Sequence, residues 1–503
     1  MVILISLVFF IRSPWGQGIV VEKATSFVSQ KTNTKIEIER LFLTFGGNLS
    51  LEGLYVEDMQ SDTLLYSKDL EVGIGLWDFI SSGDLHISKL DWDGLKARVV
   101  RKENSEKFNY DFLIDAFVSD TTNVQETQVN QAEAESEPMK ISIDPISLRN
   151  FDLIYLDEKM GMDAKLLLGG LDVDIPHLDL EKLEFDIRNI ELKESQISYR
   201  QTKPLEVSEE EESDSEALAL VSLDNFLIKN VSLLYNDEVS NQLADVFIGD
   251  LRLEVPEFDL ETQKVMVKEL SLLKSKILFH DFSAPTVASE SSEQTEATPF
   301  EWPNWIVDVG SINLEENSIE FKTKDVAPRQ GFFNPEAMVF EELTLTLDNI
   351  YLKNEKAGFN ISEFNFKESG GFELKTFTTG LKLDSKSIEI DDFRIETNRS
   401  KLLADLSLGY NSLQDLIESP DRSSLDLEVR QFLGDIRDAY FFEPSLRSDE
   451  MIKSLASYPV RMKVRARGDL ASLVIPKLEV NWDKTSLSSS GRLSNVLDMD
   501  LLT

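Results

Sequence analysis

Ile146-Ser-Leu-Arg-Asn150-Phe-Asp-Leu-Ile-Tyr155-Leu-Asp157-Glu158 aligns without a gap on Phe226-Leu-Ile-Lys-Asn230-Val-Ser-Leu-Leu-Tyr235-Asn-Asp237-Glu238. The offset is 80 residues, and it persists: Leu168-Gly169-Gly-Leu171 with Pro176 and Asp179 falls on Ile248-Gly249-Asp-Leu251 with Pro256 and Asp259. A shorter motif recurs at about half that period, as Ile190-Glu-Leu-Lys-Glu-Ser-Gln-Ile197-Ser-Tyr199, Leu270-Ser-Leu-Leu-Lys-Ser-Lys-Ile277-Leu-Phe279 and Ile312-Asn-Leu-Glu-Glu-Asn-Ser-Ile319-Glu-Phe321. Self-similarity at a fixed period means one supersecondary unit stacked on copies of itself. Apolar and polar residues alternate, so the unit is built of β-strands. Between Leu148 and Leu153 the spacing is odd, so the apolar parity flips across Arg149-Asn150. A tight turn and a bulge both produce such a flip.

Composition narrows the function classes. The chain has 503 residues, no cysteine, three histidines and a formal charge of −40. Disulfides and thiolate metal sites are excluded, and a nucleic-acid partner is disfavoured because phosphate binding requires a basic stripe. The acidity has no D-x-D-x-D-G spacing, so it reads as solvated surface rather than as a calcium site. No G-x-S-x-G, H-E-x-x-H or phosphate-binding glycine loop occurs, so neither a catalytic residue nor a cofactor is expected. A β-solenoid lyase would show a shorter period and more glycine.

In chain order, Val2, Ile3, Leu4, Ile5, Leu7, Val8, Phe9, Phe10 and Ile11 form an apolar run followed by Ser13-Pro14. Ten residues are too few to cross a bilayer as a helix. Residues 1–12 therefore read as the distal part of a transmembrane anchor, and the alternative is a buried first element. Ser13-Pro14 caps a helix through Trp15–Gln30 within residues 13–34, with Ile19, Val20, Ala24, Phe27 and Val28 at helical spacing. Strands are expected across 35–117, with separate segments at Leu64–Leu70, Glu71–Leu76, Leu85–Leu90 and Asp91–Val100. They resume across 140–410, and 458–503 continues them. Residues 411–457 interrupt this pattern: helical spacing appears over Phe432–Tyr440 and Asp449–Ala456.

Three Ser-, Thr-, Gln- and Glu-rich stretches, 118–139, 201–217 and 282–299, carry fifteen acidic residues against the single Lys203. They have too little apolar surface to offset ordering entropy and are expected to be disordered. The second and third begin just after the equivalent positions Tyr199 and Phe279, so insertions at one repeat phase should leave one rim of the array.

The amino-terminal run, the short helix and then Ile36-x-Ile38, Phe45-Gly-Gly-x-Leu49-x-Leu51-x-Gly53-Leu54-x-Val56-x-Asp58 and Ile87-x-x-Leu90-x-Trp92-x-Gly94-Leu95 resemble the amino-terminal part of TamB and AsmA-like envelope proteins. These are relatives of chorein-type bridge lipid-transfer proteins. The run from Gly371 to Tyr410 and Asp438-Ala-Tyr-Phe-Phe442-Glu-Pro444 is similar to the same family. The resemblance implies a mainly β fold: a long, twisted, groove-shaped antiparallel sheet with an amino-terminal helix and a few inserted helices. If about 25 strands stack at ~4.8 Å, the groove runs for about 120 Å. The resemblance further implies an inner-membrane-anchored protein of the Gram-negative periplasm that carries phospholipids towards the outer membrane. A barrel-assembly-type (TamA-like) partner is implied through a carboxy-terminal part lying beyond this chain. The alternative is a structural scaffold with a closed β core. The expected groove lining is Leu153, Tyr155, Ile197, Tyr199, Leu233, Tyr235, Ile277, Phe279, Ile319 and Phe321.

Overall fold

The computed structural model describes residues 14–44, 48–74, 86–118, 142–143, 145–179, 184–205, 220–283 and 300–494. The chain is mainly β and divides into two compact units at Phe247/Ile248. The expected anchor residues Val2–Ile11 lie outside the described residues, as do most of the three acidic inserts.

In the first unit a helix spans Pro14–Thr32, with proline at its first position, where a missing N–H costs nothing. It is followed by β1 (Ile36–Glu37), β2 (Arg40–Leu43), β3 (Leu49–Glu57), β4 (Thr63–Ile74) and β5 (His86–Arg101). The four segments expected between Leu64 and Val100 are thus two long strands. A second helix, Asp111–Val118, interrupts the region 35–117, where only strands are expected. Its Phe112 and Leu113 and the first helix's Val28 pack against buried Ile36, Val56 and Leu64, closing the apolar side of the first strands. Phe27 points away and is exposed, so the helical stripe read from spacing does not all face the sheet.

The repeat itself begins with β6 (Ser142–Ile143), β7 (Ile146–Asp157), β8 (Met162–Asp174), β9 (His177–Asp179), β10 (Glu184–Ile187), β11 (Asn189–Gln201) and β12 (Leu220–Asp237). The parity flip at Asn150 is a bulge inside a continuous strand: Asn150 sits at φ 56 and β7 runs through it. Gly94, Glu194 and Asn230 hold the same left-handed conformation at equivalent points of β5, β11 and β12. The residues that follow them, Leu95, Phe151, Ser195 and Val231, are buried. Each bulge bends its strand and reverses the alternation, so the apolar residues of both arms stay on one side. Leu148 from one arm and Leu153 from the other accordingly pack on the same cluster of Leu95, Phe151 and Leu168.

The sheet is mixed, where the family resemblance implied an antiparallel one. β7, β8 and β11 pair antiparallel, but β5 pairs parallel with β7 and β11 parallel with β12. The reason is arithmetic: the repeat holds three long strands, so its last strand points the same way as the first strand of the next copy. Antiparallel neighbours need a tight turn, whereas parallel neighbours need a crossover of a dozen residues or more. The chain segments that contain the first two acidic stretches join these parallel pairs, whose strands start level with one another: Ile146 stands across from Leu90 and Phe226 across from Ile190. The second stretch, expected to be disordered from residue 201, is ordered at its start. Gln201 is buried, its amide donating to Met160 O at 2.8 Å, and Thr202 N donates to Gly161 O at 2.8 Å.

The second unit continues the scheme by itself. From Ile248 the strand β13 (Gln242–Asp259) pairs antiparallel with β14 (Lys264–Leu273). β14 and β15 (Lys276–Asp281) both pair parallel with β16 (Ile306–Thr323), again across an acidic insert, at whose start Phe282 and Ser283 are ordered. An antiparallel meander follows: β17 (Ala337–Lys353), β18 (Lys356–Glu368), β19 (Glu373–Leu374), β20 (Thr376–Asp384), β21 (Ser387–Glu396), β22 (Lys401–Gly409), β23 (Ser424–Gly434), β24 (Val460–Asp469), β25 (Ser472–Trp482) and β26 (Thr485–Ser494). Positive φ at Lys274, Glu316, Glu342 and Asp392 continues the row of bulges. Between β23 and β24 the helical spacing read over Phe432–Tyr440 is corrected. Phe432 remains in the strand, and helix begins at Ala439 after a 3-10 turn at Ile436–Asp438. Phe441 of this insert is buried against Phe372, 5.4 Å between ring centroids, and Phe333 N donates to its carbonyl at 2.7 Å.

Candidate functional site

Strand register decides which of the expected lining residues meet. In the first unit Ala97, Leu153, Leu166, Ile197 and Leu233 stand opposite one another in succession across β5, β7, β8, β11 and β12. Two residues further along, Val99, Tyr155, Ala164, Tyr199 and Tyr235 form a second row. The six residues expected in this unit therefore occupy two adjacent rows of one apolar face. Leu234 lies on the opposite face, level with Ser198 and Lys165. In the second unit Ile277, Ile319 and Phe340 form one row, and Phe279, Phe321 and Met338 the next.

None of the ten expected lining residues is fully buried, and Leu233 is 37% exposed. The other nine are half-buried, so within each unit the rows form a contiguous apolar surface that is only partly covered. Sequence reasoning missed the other arm of the bend. There Trp92, Leu148, Leu171, Leu192 and Ile228 are aligned, and so are Leu251, Leu272, Leu314, Leu345 and Phe364 in the second unit. The signal is present in the chain, since the recurring motif carries Leu192, Leu272 and Leu314 ahead of each bulge.

Aromatic and polar groups mark the rim of the first unit's apolar face. Tyr199 and Tyr235 stack with centroids 5.5 Å apart. Tyr199 donates to Gln201 Oε1 at 2.6 Å, Tyr235 to Asp237 Oδ2 at 3.4 Å and Tyr155 to Asp157 Oδ2 at 3.5 Å. Each ring thus packs on its neighbours while its hydroxyl finds a polar partner at the strand end, the division of an apolar body and a polar tip that tyrosine offers. Burial pushes the Tyr155 and Tyr235 hydroxyl pKa values up. Asp157 is buried and held below the usual carboxylate range by Arg101, whose Nε donates to it at 2.9 Å. The Arg101 guanidinium also lies 4.7 Å from the Phe108 ring centre. The Ser240 hydroxyl lowers Asp237 in the same sense, from 2.7 Å.

Among the described residues no helix is long and apolar enough to cross a membrane, and no three His, Asp or Glu side chains converge as metal ligands. No protein family, curated protein or solved structure matches the chain.

Proposed function

We propose that the chain is a lipid carrier: acyl chains lie along the apolar inner faces of its bent strands, while headgroups stay in water beyond the rim. The observation that carries this reading is the apolar row Leu153–Leu166–Ile197–Leu233, which is only partly covered. Each CH₂ laid there leaves water at a gain of ~0.8 kcal/mol, so a long acyl chain is held without a single polar contact. Such contacts have no preferred position along the row, so a chain slides rather than locks. Together with the sequence resemblance, this supports a periplasmic bridge anchored in the inner membrane, moving phospholipid towards the outer membrane and working with a barrel-assembly partner.

The second reading is a structural scaffold with a closed core. Its support is the covering of β1, β3 and β4 by the helices Pro14–Thr32 and Asp111–Val118. Native mass spectrometry and lipid extraction of protein purified without detergent separate the two. Co-purified phospholipid is expected. Protein free of lipid, and unable to take any up from vesicles, would leave the scaffold.

A further inference from the structure

A cavity of about 440 Å³ opens at the rim of the first unit, where β4 begins and β5 ends. That volume lies in the range of small-molecule sites. One wall is the turn Asp58–Thr63, a second is Arg98, Val100 and Lys102 of β5, and the third is the segment Ser105–Asp115. Asn109 ties the walls together. Its Oδ1 accepts from Val100 N at 2.8 Å, and its Nδ2 donates to Arg98 O at 2.9 Å and to Asp58 Oδ2 at 3.3 Å. Asp58 is buried and fixes the turn by accepting from Gln60 N and Asp62 N, both at 2.9 Å.

The charged lining sorts into used and unused groups. Lys107 pairs with Asp115 at 2.6 Å and Lys102 with Glu158 at 2.9 Å. Asp111 accepts from Phe108 N at 2.8 Å. Two charged side chains remain without a hydrogen bond or ion pair among the described residues, Arg98 and Asp62, and they do not pair with each other. Phe108 of the lining lies 5.8 Å from Tyr155, which belongs to the second apolar row.

We propose that this cavity seats a zwitterionic phosphodiester, with the phosphate on Arg98 and the ammonium on Asp62. Among the described residues one unpaired cation and one unpaired anion line the cavity, which matches a ligand carrying both charges. The net charge of −40 repels a free phosphate but leaves a neutral zwitterion indifferent to the long-range field. Guanidinium is also suited to phosphate because its fork donates two parallel hydrogen bonds. Resting on the proposed lipid carriage, the cavity is a headgroup seat beside the end of the apolar face that the two helices close.

Calorimetric titration tests this with four probes: dihexanoyl phosphatidylethanolamine, dihexanoyl phosphatidylglycerol, glycerophosphoethanolamine and inorganic phosphate. The ethanolamine lipid is expected to bind at least tenfold more tightly than phosphate. Arg98→Ala should weaken both lipids tenfold or more. Asp62→Asn should weaken the ethanolamine lipid several-fold and leave the glycerol lipid within twofold. Should Arg98→Ala lower the melting temperature, Arg98→Gln supplies the same readout with the stem retained. Unchanged affinities in the Arg98 variants overturn the seat, and phosphate binding as tightly as the ethanolamine lipid reassigns it to free phosphate. Glycerophosphoethanolamine bound through Arg98 in a protein that retains no acyl chain keeps the seat and removes lipid carriage. Retained lipid that is insensitive to Arg98 does the reverse.

Discussion

At the scale of single residues, the bulge is the device on which the molecule depends, and its chemistry is local. Ser195 Oγ donates to Lys193 O at 2.8 Å and accepts from Gly169 N at 3.2 Å, which replaces the ladder bond the bulge removes. Ser275 does the same between Leu273 O and Gly249 N, 80 residues on. The glycines answer to space rather than to φ. A Cβ on Gly169 would meet Glu194 O at 2.4 Å, and one on Gly249 would meet Leu273 O at 2.7 Å. Because those oxygens are backbone, the ladder itself must shift. Gly169→Ala and Gly249→Ala are each expected to cost ~1–3 kcal/mol, read as a lower urea midpoint. A second residue-scale prediction concerns alkaline pH. Tyr410 is buried, donates to Asp384 O at 2.7 Å, and its hydroxyl is pushed up to about 12 by burial and by the Asp384 charge. An unfolded tyrosine titrates near 10, so the folded state holds its proton longer. The resulting stability is complete below pH ~10 and is lost as pH rises towards about 12. Tyr410→Phe should flatten that decline in pH-dependent melting while costing ~1 kcal/mol at neutral pH for the lost hydrogen bond.

At the scale of the strand, the bend determines what a substitution does. Leu233 is 37% exposed on the apolar face, so a carboxylate placed there still reaches water. Leu233→Asp should therefore leave the melting temperature within a few degrees. Acyl chains, however, would meet a charge in their path, so lipid retention is expected to fall to background. A collapse of stability would instead mark a closed core, because a carboxylate buried without a partner costs several kcal/mol. Leu234→Asp is the control: it faces outward beside Lys165 and Ser198, and should change neither quantity. The Phe441 insert shows the contrasting case, since a side chain stacked on Phe372 and buried has no route to water.

At the scale of the whole molecule, net charge acts on every strand at once, although no single contact displays it. A chain carrying 91 acidic and 51 basic residues repels itself when compact. Raising salt from 0.01 to 0.15 M shortens the screening length from ~30 to ~8 Å. The melting temperature should rise over that range, and a fall would show that the many surface ion pairs outweigh the net repulsion. Pairs such as Lys68–Asp93 and Lys353–Asp308 are exposed, so each contributes little and the rise is expected to prevail.

The alternation of apolar and polar residues, the 80-residue repeat and the parity flip at Asn150 are all legible in the chain, because they are properties of near neighbours. So is the pairing of Phe279 with Phe321, since equivalent positions of the recurring motif must stack if the units do. The choice of a bulge over a turn at Asn150 is not legible, because both reverse parity and only the paired strand distinguishes them. The parallel junctions are hidden for a related reason. Strand direction depends on how many strands a repeat contains, and alternation alone divides β4 and β5 into two segments each. The cavity at Arg98 and Asp62 joins residues from a turn, a strand and a returning segment. No local pattern encodes that meeting, because it exists only once Asn109 has tied the three together.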